Sequence, residues 1–126
     1  GQAGYFHRIV QAQRVRGAIV TTQSEHDTAV CTAYPAASFV RGDVAFAPGS
    51  FPRYGALGAF GVRGPGVDAV DLPLHAADAP YGFEPGRVYN LESSHVIAQM
   101  QSISSGAHND IAHPEVAHAM WEAVLL

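Results

Sequence analysis

Cysteine is almost missing: Cys31 is the only one in 126 residues. An intramolecular disulfide and a cysteine-rich zinc site are thereby excluded. The compartment stays open, with the cytoplasm the first choice, because secreted proteins also exist without disulfides. Charge is sparse as well. Charged residues make up 14% of the chain, and seven Lys and Arg against eleven Asp and Glu give a net charge of -4. The basic residues are scattered, so the Lys/Arg stripe that nucleic acid or an anionic membrane surface requires is missing. Neither is an expected partner. Apolar runs such as residues 17–20 are far too short to span a bilayer, and a soluble protein is expected. The first residues, GQAGYFH, have neither a Met nor the charged-then-apolar order of a signal peptide. They read as an internal point of a longer chain. What is abundant is apolar: 48% of the residues are hydrophobic, enough for one buried core in a globular protein.

The order of elements points to an α/β fold with a mostly parallel sheet. Residues 14–24, RVRGAIVTTQS, hold an apolar, β-branched run that predicts a buried strand of the parallel-sheet kind. Glu25, His26 and Asp27 form the loop after it. Asp27 is placed to cap a helix over residues 28–34, which Pro35 shortens or kinks. Residues 42–66 are rich in Gly and Pro and favour turns over long elements, with Phe46, Phe51, Tyr54, Leu57 and Phe60 as anchors. Residues 67–74, VDAVDLPL, read as a short extended segment whose Pro73 argues for a sheet edge. A further strand is expected over residues 87–91 after the Pro85-Gly86 turn, with residues 95–100 either continuing or following it. A polar loop, SISSGAHNDIAHPE, leads into a closing amphipathic helix. Pro114 suits its first position and Glu115 its positive N-terminal end. Val116, Ala117, Met120, Trp121 and Val124 are its expected apolar face.

Two loops carry the candidate chemistry, Asp27 in SEHD and His108 in GAHNDIAHPE. Both follow expected strands, and in open α/β sheets sites form outside the carboxyl ends of strands. A carboxylate beside an imidazole holds one tautomer and stabilises the imidazolium formed when the base takes a proton. The stretches AIVTTQSEHDTAVCTAYPAAS and VYNLESSHVI…SSGAHNDIAHPEVAHAMWEAVL resemble the C-terminal half of an α/β-hydrolase. The first resembles the strand and loop of the triad acid; the second resembles the last strand, histidine loop and closing helix. The Gly/Pro-rich middle matches loosely. The resemblance implies Asp27 as triad acid and His108 as general base, in that family's chain order. It implies an ester, amide or similar acyl substrate and no cofactor.

One departure is large. These enzymes carry their nucleophile before the acid, usually as Gly-x-Ser-x-Gly, and no serine of this chain sits in that pattern. The N-terminal half of the same enzyme, or a second copy of the chain, is therefore the expected partner. The strand near Ile19 and Val20 should have an unpaired edge. By itself the chain should be inactive.

Other readings of the same residues stand beside this one. Asp27 before a helix is also a common N-cap, and Asp110 suits a loop brace. His113 belongs to the helix start and His118 to its surface. His108, Asp110 and His113 spell His-x-Asp-x-x-His, which with His26 and Asp27 offers ligands of a type that suits zinc. Cys31, inside the expected helix, reads as a small buried residue. Tyr34, Tyr54, Phe60, Tyr81 and Tyr89 read as core before pocket. A non-catalytic interaction module built on the half-fold is the alternative function.

Overall fold

The computed structural model describes residues 7–29 and 57–126. In chain order these form α1 (His7–Gln11), β1 (Ile19–Gln23), α2 (Leu57–Phe60), β2 (Ala69–Pro73), β3 (Val88–Glu92) and α3 (Pro114–Val124). The three strands make one sheet in the order β1-β3-β2, and both pairings are parallel. The fold is thus a small mixed α/β arrangement closed by a C-terminal helix.

The central strand is β3, and its sequence says why. Val88, Tyr89, Asn90 and Leu91 are all buried, Leu91 completely, because neighbours on both sides and cover on both faces leave no water-facing position. Burying Leu91 stabilises the fold by roughly 1.5–3 kcal/mol. Among the described residues β2 lies at an edge, and it ends on Pro73, where the missing N–H has no ladder partner to deprive. One face of the sheet carries the core: Leu74, Phe83, Tyr89, Leu91, Ile97 and Ala107 pack with Val116 and Ala119 of α3. The other face carries a polar row. Thr21, Asn90 and Asp71 sit opposite one another across the three strands. Asn90 accepts from the Thr21 hydroxyl at 3.0 Å and the Val62 amide at 2.7 Å, and donates to Asp71 at 3.0 Å and the Val62 carbonyl at 3.3 Å. Its side chain pins the segment after α2 to the sheet.

Several expectations need correction. The first strand is shorter than residues 14–24, spanning Ile19–Gln23, because pairing with β3 starts at Ile19. Of the two readings left open for residues 95–100, they follow β3 rather than continue it. The Ser93 carbonyl accepts from both Val96 and Ile97 at 2.9 and 2.7 Å, so the chain turns there. The closing helix starts with Pro114 in its first turn, but the face it buries is different. Val116 and Ala119 are buried with Ala123 packed beside them, whereas Ala117, Met120, Trp121 and Val124 are exposed. Polar anchors set that roll. His118 donates from Nε2 to the Ala79 carbonyl at 3.0 Å, and the Glu122 carboxylate accepts from the Tyr81 amide at 2.8 Å. His118 is therefore largely covered rather than on the surface. Tyr81 itself is core-facing, stacked between His75 and Phe83 at centroid distances of 4.2 and 4.5 Å. No described helix is long and apolar enough to cross a membrane.

Candidate active site

β1 and β3 are adjacent and parallel, so the loops that follow them leave the same end of the sheet. The first loop is tied down by Ser24, which is buried. Its amide donates to the Gly58 carbonyl at 2.8 Å, its hydroxyl donates to the Ile97 carbonyl at 2.6 Å, and that hydroxyl accepts from the His26 amide at 3.1 Å. The chain then turns at residues 24–27, with the Asp27 amide donating to the Ser24 carbonyl at 3.2 Å. This turn points the Asp27 carboxyl inward, where the residue is only 5% exposed.

The second loop is a run of tight turns over residues 101–110. The Gln101 amide donates to the Gly106 carbonyl at 2.9 Å and the Gly106 amide to the Ser102 carbonyl at 2.8 Å, and the amides of His108 and Asp110 donate to the carbonyls of Ser105 and Ala107 at 3.1 and 2.9 Å. Ala107 is wholly buried beneath them and anchors the loop in the core. The two loops meet directly. His108 Nδ1 lies 2.8 Å from Asp27 Oδ2. An ionised carboxylate only accepts, so Nδ1 carries the proton and a neutral ring keeps its lone pair on Nε2. Among the described residues Nε2 has no hydrogen-bond partner. The His108 side chain is 47% exposed, which leaves that nitrogen within reach of a reacting group.

Beside this pair lies a cleft of about 190 Å³ lined by Thr22, Ser24, Asp27, Gly58, Ile97, Ala107, His108 and Ile111. It adjoins an apolar groove of about 420 Å³ between β1 and α3, and Thr22 and Ile111 line both. The ring of His108 therefore stands at the head of a trough that runs down the side of the molecule.

The neighbouring acid and histidine do something else. Asp110 accepts from the amides of Ala98 and Gln99 at 3.0 and 2.8 Å and from His113 Nε2 at 2.9 Å. The amide of Gln99, with His113 and Ala98 adding to it, holds this carboxyl below its ordinary value. Asp110 is a loop brace, and its partner His113 sits at the helix start as an N-cap without a side-chain cap bond. His108 and His113 face different carboxylates. Among the described residues no group of three His, Cys, Asp or Glu side chains could hold a metal ion. Cys31, Tyr34, Tyr54 and most of the helix expected over residues 28–34 lie outside the described residues.

Sequence reasoning did not single out Ser24, and it read Gly106 only as the glycine of the polar loop. Ser24 carried one legible signal, its place at the polar end of a β-branched run, just before the loop of Glu25, His26 and Asp27. No family model, curated protein or solved structure matches the chain.

Proposed function

We propose that this chain is the acid–base portion of a serine hydrolase of the α/β-hydrolase type, acting on an ester, amide or similar acyl bond. The 2.8 Å contact between Asp27 Oδ2 and His108 Nδ1 carries this reading. It joins a buried carboxylate to a half-open imidazole at one end of a parallel sheet. In this arrangement Asp27 fixes the tautomer and orientation of His108. His108 Nε2 takes the proton of a serine hydroxyl as it attacks the acyl carbon, and Asp27 stabilises the resulting imidazolium. The same ring returns the proton to the leaving group. The serine comes from a polypeptide segment outside this chain, because no serine here stands in a Gly-x-Ser-x-Gly elbow.

The surroundings support that division of labour. Among the described residues β1 has no strand on its outer side, and the trough below His108 is walled by Val20 and Thr22 of this same strand. A strand and helix of the missing portion would fit against both.

The test uses a fluorophosphonate probe and an activated ester. The chain alone should show neither labelling nor a burst of product. A longer polypeptide that includes it should label stoichiometrically, and Asp27→Asn should lower its kcat by about 10⁴-fold through the wrong tautomer. Labelling of the isolated chain that disappears in His108→Ala would place the nucleophile inside it and overturn the divided-site reading.

A further inference from the structure

We infer that Gly106 is a positioning residue: its lack of a side chain lets the His108 loop seat on the Asp27 loop closely enough to form the imidazole–carboxylate bond. The inference rests on the proposed acid–base pairing and names what sets its geometry. Gly106 has φ +56, in the region that side-chain-bearing residues rarely adopt. A Cβ at this position would collide with the carbonyl oxygen of His26, and would lie 2.6 Å from Thr28 Oγ1 and 2.7 Å from the Thr28 amide nitrogen. The obstructing groups are the backbone and side chain on either side of Asp27. They cannot yield without moving that residue.

The junction is also hydrogen-bonded on both sides of the glycine. The Ala107 amide donates to the His26 carbonyl at 2.9 Å, and the Thr28 hydroxyl donates to the Ile103 carbonyl at 3.2 Å. His108 is two residues beyond Gly106, and Asp27 is the residue between His26 and Thr28. The loop-to-loop seam therefore fixes the spacing of the two functional side chains. A methyl group at Gly106 would open the seam and draw the ring from the carboxylate.

NMR of the isolated, isotope-labelled chain tests this without any need for turnover. In the unmodified chain the His108 Nδ1 proton should appear as a strongly downfield resonance that Asp27→Asn removes. Gly106→Ala should also abolish it, while the amide of Ala107 exchanges with solvent at least about tenfold faster. Gly86→Ala is the control, since Gly86 has φ +77 with open space around its Cβ position. It carries the same backbone strain without a collision and should leave the resonance unchanged. If Gly106→Ala does not fold, Thr28→Val loosens the same seam by deleting its hydroxyl bond, and there the resonance should broaden or vanish. Persistence of an unshifted resonance in whichever variant folds would overturn the role of Gly106. Absence of an Asp27-dependent resonance in the unmodified chain would instead overturn the acid–base pairing itself.

Discussion

Asp27 and Asp110 are both largely buried carboxylates beside a histidine, yet their surroundings give them different work. The Asp27 partner projects into an open cleft, whereas Asp110 and its partner close the base of the same loop. Asp110 is held below its ordinary value of 3.8, first by the Gln99 amide and then by His113 and Ala98. A carboxyl depressed in the folded state contributes stability that is complete above its unfolded value and fades as pH falls through the folded one. Stability should therefore decline as pH falls below the carboxyl's ordinary value of 3.8, and Asp110→Asn should flatten part of that decline. Asp71, lowered first by its hydrogen bond from Arg63, adds to the same limb. Urea midpoints measured across this range for the parent and the Asn variant check the point; parallel curves would show that Asp110 is not coupled to folding.

Among the elements, β3 and α3 carry opposite lessons. β3 is buried on both faces but is not wholly apolar, because Asn90 satisfies four groups from three segments. Replacing it by an apolar residue of similar size removes the partner of the half-buried Thr21 hydroxyl and of both Val62 backbone groups, at a cost of about 1–3 kcal/mol for each that finds no substitute, whereas the exposed Asp71 can turn to water. Asn90→Leu should thus destabilise the fold by at least about 2 kcal/mol in urea titration, even though it makes the strand more hydrophobic. α3 is the reverse case. Its large apolar residues Met120 and Trp121 are each 64% exposed, while Ala119 is 1% exposed. Ala119→Leu should cost about 1–3 kcal/mol by overpacking against the sheet. Met120→Gln should change stability by less than about 0.5 kcal/mol. The opposite ranking would mean that the helix is rolled towards the face its sequence periodicity suggests.

At the scale of the molecule, the exposed Met120, Trp121 and Val124 lie on the helix that walls the apolar trough. An exposed apolar surface of this kind, beside a strand edge that is open among the described residues, is a site of association. Without the portion proposed to bear the nucleophile, the chain should self-associate with rising concentration in light scattering. Met120→Glu together with Val124→Glu should weaken that association at least about tenfold by placing charge in the contact. Trp121, the only tryptophan, reports on it directly: its emission should shift to the blue on association and stay solvent-like in the double variant. A monodisperse parent at high concentration would remove this surface from consideration.

What the sequence determined by itself was local. The β-branched run before SEHD, the Pro73 edge, the Pro85-Gly86 turn before β3, and Pro114 at the start of α3 were all legible, because each depends on neighbours a few residues away. The pairing order was not: β2 lies outside β3 rather than between β1 and β3, a matter of crossover path that no short window encodes. Nor was the rolled face of α3, since periodicity counts apolar residues but not the bonds from Ala79 and Tyr81 that turn the helix. At the candidate site, the loops of Asp27 and His108 could be named from strand ends and residue type. Their contact spans 81 positions of sequence. It exists only because two parallel strands deliver both loops to one end of the sheet, and because the seam at Gly106 lets those loops touch.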